Sequence, residues 1–141
     1  MKGIRKLILL TLVVFTMSAT PLTAQTDHGE NFTTTFPFYA GNTLMPPGYY
    51  IARLSAEDST ILTIQSKDGH HNAILDFVPS YADQADAHTD VTFRRYGTTE
   101  FLHRIWLVGQ RFGMVILPTK METKMNDHGT PQEHSIPGNA N

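Results

Sequence analysis

From Phe32 to Pro118 the chain alternates short apolar runs with turn residues, the spacing of an all-β domain. In the first run, Phe32 to Tyr39, Phe32, Thr34, Phe36 and Phe38 share one face because strand side chains alternate. Pro37 cannot donate to a ladder, which predicts an edge position or a bulge there. Gly41-Asn42 predicts a bend. Pro46-Pro47-Gly48-Tyr49 reads as a type II turn with Gly48 left-handed. Tyr49 to Leu54 is the next strand. Asp68-Gly69 sits between two alternating runs, the strongest local hairpin signal. A two-residue loop there faces Lys67 to His70, and pairs Ile64 with Ala73, Leu62 with Leu75 and Thr60 with Phe77. A slip by one residue would mix apolar and polar side chains on both faces, so this register is well specified. Leu62 and Leu75 are therefore expected to be buried neighbours.

A second hairpin is expected from Val91 to Tyr96 and Glu100 to Val108, around Gly97-Thr98. Glycine in the first loop position suggests a type II′ turn. That register sets Arg95 opposite Glu100 and Phe93 opposite Leu102. The run Glu100 to Val108 is apolar on both faces, the mark of a central strand. Met114 to Leu117 is the last strand. The acidic segment Tyr81 to Asp90 holds at most one helical turn. From Thr119 onward no period is visible. The organisation read from these patterns is a signal peptide over 1–24, an all-β domain over 25–120 and a disordered tail over 121–141. The expected architecture is a small antiparallel β-sandwich or partly open β-barrel of six to eight strands. Its aromatic core is expected to comprise Phe32, Phe36, Phe38, Tyr50, Phe77, Phe93, Phe101 and Trp106. Truncating Trp106 to alanine is then expected to cost ~3–5 kcal/mol.

The N-terminus changes the picture of where such a domain acts. Lys2, Arg5 and Lys6 precede the apolar run Leu7 to Phe15, and Leu22-Thr23-Ala24 makes a cleavage site. The run is shorter than the ~20 residues that a membrane span needs. The expected destination is the periplasm or the extracellular medium. Cleavage after Ala24 leaves eight basic and thirteen acidic groups, a net charge of −5. That balance argues against nucleic acid and anionic lipid as partners. The chain has no cysteine. Disulfides, thiol nucleophiles, thiolate zinc sites, iron–sulfur clusters and a lipoprotein anchor are thereby excluded.

Two segments resemble a family of small secreted all-β proteins found mainly in acidobacteria. One runs Phe36-Pro37-Phe38-Tyr39-Ala40-Gly41-Asn42 into Leu44-Met45-Pro46-Pro47-Gly48-Tyr49-Tyr50. It is similar to the family's apolar strand, Gly-Asn or Gly-Asp bend and Leu-Pro-Ala-Gly-x-Tyr. The other, Phe93 to Trp106, is similar to its Phe-x-Arg-Tyr-Gly, Phe-Leu and Trp. Pro47 replaces the family's usual alanine, and Tyr49 stands where a polar or acidic residue is common. The stretch after Gly113 lacks the family's Ser/Arg/Glu-rich finish. The resemblance implies export and a β fold, and it carries no catalytic residue and no cofactor.

The candidate chemistry is sparse. Arg94, Tyr96 and Tyr49 are the candidate binding residues, since arginine and tyrosine are enriched at binding hot spots. Arg94 and Arg95 are adjacent on a strand and so face opposite ways, one toward Glu100 and one toward solvent or a partner. Seven histidines make a divalent-metal binder the alternative reading, with His70, His71 and His88 as candidate ligands. Asp83, Asp86 and Asp90 lack the glycine and the offsets of a calcium loop. No nucleophile elbow or phosphate loop is present. A hydrolase or isomerase with its site in a barrel mouth is the further alternative. The leading expectation is a non-catalytic binding or structural module without a cofactor. Its partner would be a protein, a glycan or a small apolar ligand, reached in part through exposed strand edges.

Overall fold

The computed structural model describes residues 29–55, 58 and 60–139. The signal peptide expected over residues 1–24 lies outside them. No helix among the described residues is long and apolar enough to cross a membrane. The fold is mostly β, and its strands form one mixed sheet that does not close. In chain order they are β1 (Gly29–Thr34), β2 (Phe38–Ala40), β3 (Thr43–Met45), β4 (Gly48–Leu54) and β5 (Ile61–Ser66). Then come β6 (Asn72–Tyr81), β7 (Asp90–Tyr96), β8 (Thr99–Trp106) and β9 (Phe112–Ile116). The helix α1 (Lys120–Asn126) and a final strand β10 (Gln132–Pro137) follow.

Among the described residues ten strands replace the expected six to eight, and the sheet is not wholly antiparallel. The parallel pairing and one of the extra strands begin at Pro37, and β3 and β10 supply the others. The expected first strand breaks at Thr35-Phe36-Pro37, where the ladder loses a donor. Before the break, β1 pairs antiparallel with β4. After it, β2 touches β8 in parallel, through Tyr39 and Phe101, and turns back on β3. The strand β6 also changes partners along its length. Its first half pairs with β5 and its second half with β9.

One hydrophobic cluster joins the inward faces of both parts of the sheet. Phe32, Tyr50, Leu62 and Ile64 come from β1, β4 and β5, and Phe38, Phe93, Leu102, Ile105 and Met114 from β2, β7, β8 and β9. The aromatic rings meet edge to face or stacked: Phe38 lies 5.2 Å from Tyr50 at 79°, and Phe32 lies 5.6 Å from Tyr50 at 27°. Such offset geometry satisfies the ring quadrupoles. Phe36 packs on this cluster while only partly buried.

Both hairpin registers are as the pattern predicts. Leu62 pairs with Leu75, Ile64 with Ala73, Arg95 with Glu100 and Phe93 with Leu102. Leu62 and Leu75 are 0% and 6% exposed, so the expected face is the buried one. The first turn differs in detail. Gly69 N–H donates to Ser66 O at 2.9 Å, so the chain reverses over Lys67-Asp68 and Gly69 takes the left-handed position, φ 76°. A two-residue type I′ loop would need Asp68 left-handed as well. Instead Asp68 accepts hydrogen bonds from Ser66 Oγ and His70 N–H, which hold it in the ordinary region. In the second turn Gly97 alone has positive φ, 62°, as type II′ requires.

Three other expectations are corrected. Gly48 has no left-handed φ and begins β4, so no type II turn forms there. Trp106 is half-buried, outside the main cluster. It lies across Gly113 of β9, where an added Cβ would stand 2.2 Å from its ring, and its Nε1–H donates to Gln110 O at 3.2 Å. Only a glycine leaves room for that ring, and truncating Trp106 should therefore cost less than a core aromatic.

The third correction is the tail. Residues expected to lack structure form α1 and β10. Thr119 caps α1, its Oγ1 accepting from Glu122 N–H at 3.1 Å. The strand β10 pairs antiparallel with β7 along six residues, from Gln132 with Arg95 to Pro137 with Asp90. Beyond it, Gly138 N–H donates to Thr89 O and Asn139 N–H to Asn31 O. The segment thus ties β7 to the first strand.

Candidate functional site

Alternation along β7 separates its two arginines, as expected. Arg95 turns to one face, with Nε 3.9 Å from Glu100 Oε1 and a hydrogen bond to Gln132. Arg94 and Tyr96 turn to the other. There Tyr96 packs edge-on against buried Phe101, centroids 5.7 Å apart at 83°, and Tyr39 stacks on Phe101 at 5.3 Å.

The helix α1 covers this second face and presents Glu122, which is only 5% exposed. Its Oε1 accepts from Tyr96 Oη–H at 3.3 Å and lies 4.0 Å from Arg94 Nη1. On the other side Arg94 Nε donates to Glu133 Oε1 at 3.2 Å. His103 Nε2 stands 3.7 Å from the same oxygen. Arg94 is therefore held between a buried carboxylate from the helix and a half-exposed one from β10. Arg94, Tyr96, Glu122 and Glu133 line an open groove of about 420 Å³, walled further by Pro118, Asn126, Thr130 and Pro131.

The electrostatics follow from burial. Desolvation pushes the Glu122 carboxyl up, while the Arg94 cation and the Tyr96 hydroxyl pull the other way without cancelling it. The Tyr96 phenol is also raised, first by burial and then by nearby Glu122. Burial lowers His103, and Arg94 adds to that. For Glu122 the folded pKa lies above the unfolded one. Its contribution to stability is complete below the ordinary value of 4.5 and is lost as pH rises through the folded value. His103 has the opposite sign: its contribution is present above 6.5 and is lost as pH falls. In a His103→Asn background, which removes the second effect, Glu122→Gln should flatten the decline in melting temperature above pH 4.5. Glutamine keeps an acceptor for Tyr96. An equal decline in both proteins would mean that Glu122 is not buried in solution.

The remaining candidates lie elsewhere. Tyr49 lines a separate groove of about 300 Å³ with Pro46, Pro47, Asp68 and His71. Lys67 Nζ sits 5.2 Å from the Tyr49 ring centroid, a cation–π contact. Tyr49 is therefore not brought together with Arg94 and Tyr96. His70 belongs to the β5–β6 turn, where its N–H donates to Asp68 at 3.0 Å. His88 lines a third groove with Glu30, Thr89 and Val108. Among the described residues no group of three or more His, Asp or Glu side chains is placed to hold a metal ion. His70, His71 and His88 therefore do not converge into a metal site, and neither do Asp83, Asp86 and Asp90.

The sequence reading missed Glu122, Glu133 and His103. Two of them belong to the segment taken as a tail. One signal was present: Thr119-x-x-Glu122 has the spacing of a capping box, which starts helices. The glutamate turns inward to Tyr96 rather than back to the cap. No family model, no curated protein and no solved structure matches this chain.

Proposed function

We propose that this chain is an exported, non-catalytic binding module whose ligand lies in the groove between β7, β10 and α1. One observation carries the reading. A buried carboxylate, Glu122, an arginine, Arg94, and a tyrosine hydroxyl, Tyr96, converge on one open groove. Burying a carboxylate costs several kcal/mol in the absence of compensation, and no such cost is needed to close a sheet. Arg94 and Tyr96 offset that cost for Glu122 only in part, and a buried carboxyl that lines an open groove supports a binding role.

Export to the periplasm or medium is supported by the pattern of residues 1–24. The resemblance to small secreted acidobacterial proteins is in keeping with it. We read the two parts of the sheet, joined where β6 changes partners, as a sandwich-like arrangement around one core. Nucleic acid and anionic lipid are poor partners for a mature net charge of −5.

The test is a fragment screen followed by amide chemical shifts. Fragments that bind should move Arg94, Tyr96, Asn126 and Thr130 together, and Arg94→Ala should abolish those shifts. Hits scattered over the surface, or concentrated at the Tyr49 groove, would overturn the assignment.

A further inference from the structure

Asp68-Gly69 makes the β5–β6 turn, and the same pair is chemically the most reactive backbone step in the chain. It is the one place where an aspartate or asparagine precedes glycine. At such a step the glycine nitrogen attacks the aspartate Cγ, and glycine has no Cβ to block the approach. The N–H proton and the carboxyl hydroxyl leave as water, and a five-membered succinimide closes. Water then opens the ring at either carbonyl. Attack at Cγ restores aspartate. Attack at the α-carbonyl gives isoaspartate, whose main chain runs through Cβ and Cγ and whose α-carboxylate becomes the side group. The two steps need no reactant besides water, and both residues are exposed. The turn cannot dispense with the glycine, because Gly69 sits at φ 76°.

In the folded turn both reacting groups are engaged elsewhere. Gly69 N–H donates to Ser66 O at 2.9 Å. Asp68 Oδ1 accepts from Ser66 Oγ–H at 2.5 Å and from His70 N–H at 3.0 Å. Ser66 is itself fixed in place: it is buried, and its Oγ accepts from His71 N–H at 3.0 Å. Ring closure therefore requires the loss of the Gly69 hydrogen bond and a rotation of the carboxyl that breaks two more. The Ser66 hydroxyl first, and the His70 N–H after it, hold the Asp68 carboxyl below its ordinary value. At neutral pH it is the carboxylate, whereas the ring closes from the acid form, which has a hydroxyl to lose.

We infer that Asp68-Gly69 is a modification site, shielded by the closed β5–β6 turn and converted to isoaspartate in chains whose hairpin has opened. The product does not return to the native turn. Isoaspartate adds one methylene to the main chain between Lys67 and Gly69, and its carboxylate no longer stands where Ser66 and His70 donate. The neighbouring pairs, Gln65 with Asn72 and Ile64 with Ala73, lose the turn that sets their register. The site thus marks chains that have unfolded.

The experiment incubates the purified chain at neutral pH, folded in buffer and unfolded in urea, and follows isoaspartate at position 68 by peptide mapping. The unfolded chain should convert about tenfold or more faster, because hydrogen bonds hold both reacting groups in the folded one. Ser66→Ala, shown to be folded by its melt, should convert about fivefold faster than wild type in buffer and at the wild-type rate in urea. Converted chains, separated and returned to buffer, should melt about 5 °C or more below unconverted ones. Equal rates for folded and unfolded wild-type chain would overturn the shielding, whether or not Ser66→Ala folds. An absence of isoaspartate in urea would overturn the site itself. Converted chains that melt like wild type would overturn the loss of the turn.

Discussion

Ending the chain after Pro118 should lower its melting midpoint steeply, although every residue removed lies beyond the last apolar strand of the pattern. The lost segment carries His134, whose Nε2 lies 2.7 Å from Glu100 Oε2. Glu100 is 6% exposed, and its remaining partner, Arg95, is 3.9 Å away. Leaving such a group without its hydrogen bond costs ~1–3 kcal/mol, more for a charged one. The ring of His134 also stacks on Phe93 at 5.7 Å and meets Phe36 at 5.3 Å. Those contacts are worth ~0.5–1.5 kcal/mol each. Ile136 leaves the core cluster, and β7 becomes an open edge. Against a total stability of ~5–15 kcal/mol, the loss takes a large share. The expected drop in melting midpoint is about 15 °C or more. His134→Ala alone should show a graded part of it, ~1–3 kcal/mol, by urea titration. A truncated chain that melts like the full one would mean that β10 is not docked in solution.

Phe93→Ala should be the most damaging single substitution. Phe93 is 0% exposed and lies at the centre of an aromatic cluster. Phe36 approaches it edge-on at 5.1 Å and 87°, and Phe38 at 5.3 Å and 74°. Removing a buried phenylalanine costs ~3–5 kcal/mol, and the upper part of that range applies because several ring contacts go with it. Since β7 and β8 shift register between Thr92 and Phe93, the backbone there is held by this side chain as well as by its ladder. Phe93→Leu keeps apolar volume and loses the ring geometry, so its cost should fall between wild type and alanine. Urea midpoints for the three proteins check the order. An alanine variant within about 1 kcal/mol of wild type would place Phe93 outside the core.

Much of the fold is legible along the chain because it is local. The pairing of Leu62 with Leu75 and of Phe93 with Leu102 follows from turn residues and a period of two, both readable within twenty residues. The opposed directions of Arg94 and Arg95 follow from the same period. Other features are not local. Trp106 looks like a core residue in an apolar run, but the space opposite it is set by Gly113 on another strand. β10 has Ile136 as its one large apolar residue, so no hydrophobic period announces it. It is held by polar pairs: His134 with Glu100, Ser135 with Thr92, Glu133 with Arg94.

The candidate site divides the same way. Arg94 and Tyr96 are identifiable from residue type and strand position. Their partner Glu122 comes from a helix of seven residues that depends on its cap and its docking, since isolated helices this short do not persist in water. By itself the sequence determined the β class, both hairpin registers and the two strand residues that face the groove. Each depends on neighbours a few positions away. Only the tertiary structure decided the partner exchanges at Pro37 and along β6, the docking of β10, and the burial of Glu122 against Arg94. Those depend on groups distant in the chain, whose polar contacts gain free energy only once the core has brought them together.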